Sequence, residues 1–315
     1  MIILCNRLRN LTLSAVCLAS LAGCSTTPSP STATTPGSAV VAVSPGRGMW
    51  FWESAAQMAI VSTPSAQAQA IANLKAWNVT SLYGSYQSQI SSNPAAVRAW
   101  NANLAANGIA SYSLISEGDY FLPEQWPATQ AWIEANFLGF NAASAPGQGF
   151  VGLAFDVEPA SFTGNTTRTS WNAATPALRR TYLTYFNNML QSARTLLNDN
   201  GAASAPIQTY LVTWFSNLAG SILWANAADQ SQWFAQLAQI CDRVTVEQYE
   251  TNSTSSILSG FQTNNALLNG KSRVALNSAD TQWTSVAQFW QGVATTESQT
   301  STFVDIEDYQ TTTSN

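Results

Sequence analysis

The chain has 315 residues, with 12 Lys+Arg against 17 Asp+Glu, four cysteines and no histidine. Hydrophobic residues make up 46%, enough for a full core, while charged residues make up 9%, well under the roughly 25% of ordinary globular domains. Without histidine there is no Ser-His-Asp or Cys-His triad, no imidazole metal ligand and no imidazole proton shuttle. A net charge of −5 leaves no basic surface to neutralise phosphates, which excludes nucleic acid as a partner.

The N-terminal segment reads as an address. Arg7 and Arg9 precede an apolar run from Leu11 to Ala22, too short to span a bilayer but suited to a secretory signal. It ends in Leu21-Ala22-Gly23-Cys24, which resembles a bacterial lipobox. That resemblance implies cleavage before Cys24 and acylation of its thiol and amine, which would make a lipid bilayer a partner. Ser25 resembles the outer-membrane sorting pattern of Gram-negative lipoproteins, so a cell-envelope location is expected. The expected organisation is residues 1–23 as signal peptide, 24–46 as lipidated cysteine and Ser/Thr/Pro-rich tether, and 47–315 as the folded domain. Cys5 and Cys17 would leave with the signal, so Cys241 would have no internal disulfide partner, and the domain must rely on its core.

Beyond the tether, short apolar strands alternate with helical segments. The strands are expected at Met49–Trp52, Val79–Tyr83, Ile109–Ile115, Phe150–Asp156, Ile207–Trp214, Val244–Tyr249, Arg273–Asn277 and Thr302–Glu307. Pro64, Pro94, Pro127 and Pro176 each suit the first turn of a helix, and Gly108 and Gly201 suit the left-handed position just past one. Eight β/α alternations predict an α/β fold of the (β/α)8, TIM-type barrel kind. No Gly-rich phosphate loop follows the first strand, which argues against a doubly wound sheet, and no cofactor is expected. About eight residues follow the last strand, too few for a full eighth helix. The barrel is therefore expected to lack that helix or to have the tether packed in its place.

The acids fall mostly at the C-terminal ends of these strands, where barrel active sites lie. In the fourth strand, Val151, Leu153, Phe155 and Val157 share one face and Gly152, Ala154, Asp156 and Glu158 the other. The small residues and the two carboxylates should face the barrel interior, and like charges this close raise at least one pKa. The same parity turns Thr245, Glu247 and Tyr249 inward on the sixth strand, and Phe303, Asp305 and Glu307 on the eighth. On the third it turns Ser111 and Ser113 inward, with Glu117 and Asp119 just beyond. Trp50, Trp52, Glu53, Tyr83, Trp214, Glu250 and Asn277 also lie at strand ends. Together with Glu117 they are candidate contacts for sugar rings, whose C–H faces suit indoles and whose edges suit polar groups.

The segment Val151-Gly152-Leu153-Ala154-Phe155-Asp156-Val157-Glu158 resembles the fourth-strand motif of family 18 glycoside hydrolases, the chitinase type. It keeps the glycine, the last aspartate and the glutamate, but Val151 and Ala154 replace two further aspartates. Tyr249-Glu250 stands where that family carries Tyr-Asp. The resemblance implies Glu158 as general acid and Asp156 as the group orienting a substrate acetamido nucleophile. Glu247, Asp305 or Glu307 could supply a second carboxylate, with Tyr249 as stabiliser. The expected function is hydrolysis of an amino-sugar polysaccharide by carboxylates alone, with no metal. A non-catalytic carbohydrate-binding lipoprotein is the alternative, and an enzyme using an oxygen-ligated cation is a third.

Overall fold

The computed structural model describes residues 45–249, 251 and 253–314; Cys24, the signal segment, most of the tether and Glu250 lie outside them. Eight parallel strands close a barrel in chain order: β1 Arg47–Phe51, β2 Val79–Gly84, β3 Ala110–Ile115, β4 Gly152–Phe155, β5 Ile207–Val212, β6 Arg243–Glu247, β7 Ser272–Asn277 and β8 Val304–Glu307. Closure runs through Gly48 opposite Asp305 and Met49 opposite Ile306. All eight expected strands form. Several are shorter than their apolar runs because the residues at the upper ends leave the ladder and turn into the loops of the site.

The helix signals act as expected. Helices Pro64–Ala76, Pro94–Ala106 and Pro176–Asp199 begin at proline, where the missing N–H has no partner to lose. Asn93 and Thr175 cap the latter two by accepting from the N–H groups of Ala96 and Leu178. Gly108 and Gly201 adopt φ of 74° and 73° just past these helices. Cys241, at the end of helix Ala227–Ile240, is buried, and burial pushes its thiol up to about 12, so it packs as an apolar side chain.

The C-terminus departs from expectation. A six-residue helix, Tyr309–Ser314, follows β8. Asp308 starts it by accepting from the N–H of Thr311 at 3.0 Å and of Gln310. Tyr309 then packs against Phe51 at 5.5 Å and Trp77 at 5.8 Å. Tyr309 brings this short turn onto the outer core beside β1.

The core has two parts. Outside the barrel, Met49, Phe51, Leu153, Phe155, Val244, Val246, Val304 and Ile306 pack against the helices. Inside it, Trp50, Tyr83, Ala110, Tyr112, Leu114, Ala154, Tyr210 and Ala275 form a separate cluster. The third strand was expected to turn Ser111 and Ser113 inward, and the structure reverses it: Ala110, Tyr112 and Leu114 fill the interior. The cause is volume. Ala154 and Ala275 leave space that Tyr83, Tyr112 and Tyr210 fill, with ring centroids 5.6–5.8 Å apart across the interior. Val151, expected outside, lies before β4 and packs against this inner cluster.

Asp305 belongs to the same interior and corrects its expected role as a mouth carboxylate. It is fully buried, pairs with Arg273 at 3.0 Å, and accepts from the Gly48 N–H at 2.8 Å and the Thr245 hydroxyl at 2.6 Å. Arg273 also donates to the Gly46 carbonyl. With both oxygens engaged, Asp305 ties β8, β1, β6 and β7 together deep in the barrel, away from the mouth. Asp305→Ala should therefore cost about 3–5 kcal/mol, because it strands the buried Arg273 guanidinium. Urea unfolding tests this, and a loss under about 1 kcal/mol would contradict the assignment.

Candidate functional site

The alternation of β4 continues one turn of the chain past its ladder. Glu158 precedes Pro159, whose ring disfavours a helical residue before it, and Glu158 takes φ −108° and ψ 98°. That extended geometry turns Asp156 and Glu158 to the same side at the C-terminal mouth. The short turn Pro159–Ser161 then folds back, and the Ser161 hydroxyl donates to Glu158 Oε2 at 2.5 Å. Glu247 ends β6, and Glu307 ends β8.

These four carboxylates converge. Asp156, Glu158 and Glu247 each present an oxygen within 4.8 Å of the others. Trp50 Nε1 donates to Asp156 Oδ2 at 3.0 Å. Glu307 is held from both sides, by the Tyr249 hydroxyl at 2.6 Å and Trp52 Nε1 at 3.3 Å. Protein donors thus fix three of the four acids in place, and the fourth, Glu247, is nearly buried behind them.

Crowding sets their protonation. Burial, then Glu158 and Glu307, push the Asp156 carboxyl well above the usual range, outweighing the indole hydrogen bond. Burial, then Asp156, Glu158 and Glu307, do the same to Glu247, whose carboxyl shares a hydrogen bond with Glu158. Glu307 is raised by burial against the lowering effect of Tyr249. The Tyr249 phenol is itself pushed up by burial and by the adjacent acids, so its proton stays on as a donor. The result is a crowded acid cluster in which Asp156, Glu247 and Glu307 hold their protons to higher pH than free carboxyls do. The oxygens of Asp156, Glu158 and Glu247 could also hold a divalent cation, which relieves the same repulsion by another route.

The remaining candidates divide. Trp52 is half-buried beside the cluster and offers a ring edge to the mouth. Trp50 and Tyr83, expected as sugar platforms, are fully buried in the barrel. Trp50 lies 4.4 Å from the Tyr210 ring and 5.5 Å from that of Tyr83, so its role is to carry Asp156. Tyr83 serves the interior packing and meets Arg243 at 3.4 Å. Trp214 is 37% exposed beyond β5, against Trp171 and Phe215. Asn277 stands opposite Glu307, but its Oδ1 accepts from the Ala279 N–H and so shapes the loop after β7. Glu53 and Glu117 are exposed on a cavity of about 350 Å³ beside Trp52, which Ser85, Ser116 and Trp132 also line. Trp132 was not singled out in the sequence, because a helical tryptophan shows no sign of lining a cavity. Ser161 was missed too, because a serine in a loop carries no distinguishing pattern.

No family model matches the chain, and no curated protein does. Among solved structures, the PgaB (BpsB) glycoside hydrolase domain from Bordetella bronchiseptica aligns at 8% identity over 84% of this chain and 94% of its own, with a TM-score of 0.51. A protein from Bacteroides thetaiotaomicron assigned as an α-L-fucosidase aligns at 8% identity over 84% and 87%, with a TM-score of 0.53. A D-psicose 3-epimerase from Clostridium cellulolyticum H10 aligns at 10% identity over 84% of each chain, with a TM-score of 0.46. At 8% identity the first two likenesses establish the barrel fold alone.

The raised carboxyls make stability depend on pH in a defined sense. A folded state that keeps protons the unfolded chain has released loses stability as pH rises from about 4 into the raised range. Glu247→Gln removes that cost and can still donate to Glu158. It should melt higher than wild type at pH 7, by roughly 2–4 °C for each kcal/mol regained, and the gain should vanish near pH 4. Calorimetry across that range checks it; an unchanged or lower melting temperature at pH 7 would contradict the protonated cluster.

Proposed function

We propose that the chain is a lipid-anchored glycoside hydrolase that cleaves an amino-sugar-containing polysaccharide by carboxylate acid–base chemistry. The observation that carries this is the Glu158–Glu247 pair. Glu158 is half-exposed at the mouth, and behind it lies a buried carboxyl pushed to hold its proton. A general acid needs both: a reachable oxygen and a proton retained near neutral pH. A proton passes from Glu247 through Glu158 to the glycosidic oxygen as the bond to the anomeric carbon breaks; water then adds to that carbon and returns a proton to the pair. Asp156, fixed by Trp50, faces the same reacting region. Glu307, fixed by Tyr249 and Trp52, supplies the second carboxylate, whose charge stabilises the positive sugar ring. Asp305 takes no part. The shared fold with the PgaB glycoside hydrolase domain supports the reading, as does the fourth-strand motif. The lipobox-like Leu21-Ala22-Gly23-Cys24 supports the anchor and an envelope location.

A second reading, a carbohydrate-binding lipoprotein without turnover, rests on Ala154. It stands where the resembling motif has an aspartate, and it packs inside the barrel, so no carboxylate lies beneath Asp156 on that strand.

Release of reducing ends from chitin, chitosan, galactosamine polymers and peptidoglycan glycan separates the two. Wild type should cleave at least one, and Glu158→Gln should lower its rate by about 10²–10⁴. Proton chemistry also predicts that a chelator leaves the rate unchanged; loss restored by Ca²⁺ or Mg²⁺ would assign the cluster to a cation instead. Binding without cleavage would establish the second reading.

A further inference from the structure

The cavity at the ends of β1, β2 and β3 adjoins the acid cluster without being part of it. Trp52 is the shared wall: one side lines the cavity, and its Nε1 holds Glu307. The volume of about 350 Å³ falls within the roughly 300–1,000 Å³ of small-molecule sites. Its walls combine Trp52 and Trp132 with the hydroxyls of Ser85 and Ser116 and the carboxylates of Glu53 and Glu117. Among the described residues, the four ion pairs engage Glu297, Glu124, Asp242 and Asp305, so neither cavity glutamate has a cationic partner. Glu53 accepts a backbone hydrogen bond from Ser88, which fixes its position and leaves its charge unbalanced.

A ligand matching this lining has flat apolar faces for indole, hydroxyl edges and a positive charge. We infer that the cavity is a subsite for a hexosamine unit bearing a free, protonated amine, with Glu53 and Glu117 as the groups that receive the ammonium. This rests on the reading of the mouth as a polysaccharide site and narrows its substrate to partly or wholly de-N-acetylated chains. An N-acetylated unit carries no charge and offers two carboxylates only neutral donors in exchange for the water they lose, a weaker trade. An ammonium offers three donors and an opposite charge to the same groups. A chain lying across Trp52 would then place one sugar in the cavity while another meets Glu158.

The test is calorimetric titration of the full-length Glu158→Gln protein with glucosamine and galactosamine oligomers and their N-acetylated counterparts. The same titrations are repeated with Glu53→Gln and Glu117→Gln added. The free-amine oligomers of at least one sugar should bind about tenfold or more tightly than their acetylated forms. That preference should shrink with salt and disappear in the double glutamate variant, while binding of the acetylated forms changes less than twofold. No preference, a preference that survives both substitutions, or no binding by either sugar overturns the subsite. The two proposals fail separately. Charge-dependent binding with no turnover by wild type sinks the hydrolase and keeps the subsite, whereas turnover with no amine preference does the reverse.

Discussion

Four carboxylates share the mouth of this barrel, and their mutual repulsion in a partly dry site governs much of the structure around them. Asp156, Glu158, Glu247 and Glu307 come from three strands whose geometry leaves them nowhere else to point. Like charges in such surroundings cannot all ionise, so protons are retained. In a chain without histidine, these raised carboxyls are the groups whose titration moves toward neutral pH.

The rest of the barrel holds that strained arrangement still. Trp50 reaches Asp156 because its ring is wedged beside Tyr83 and Tyr210. Lower in the interior, Arg273 and Asp305 join β7 to β8 with further bonds to β1 and β6. The barrel thus places balanced charge in its interior and like charge at its mouth. The first arrangement ties four strands together, and the second crowds like charges at the open end.

The sequence discloses direction better than depth. Strand parity is strictly two, so Asp156, Glu158, Glu247, Tyr249 and Glu307 were all legible as inward-facing. Parity says nothing about height along the barrel axis. Asp305 and Glu307 share a face, yet closure places Asp305 opposite Gly48 within the interior, two residues below the mouth. Trp50 and Tyr83 were misplaced for the same reason. The third strand was misread because small polar residues resemble an inner face, whereas the interior needed the volume of Tyr112 and Leu114. The last helix was legible only as a shortage of residues; the ring of Tyr309 against Phe51 shows how six residues suffice. Cap and glycine signals succeeded because they are local, needing no knowledge of the distant chain.

Glu247 at the mouth holds its proton well above the ordinary carboxyl range. Isotope-edited infrared spectroscopy of protein carrying carboxyl-labelled glutamate reads this directly. A protonated glutamic acid band should persist at pH 7, well above the ordinary range near 4, and Glu247→Gln should remove most of it. Complete ionisation of every glutamate by about pH 5.5 would contradict the account.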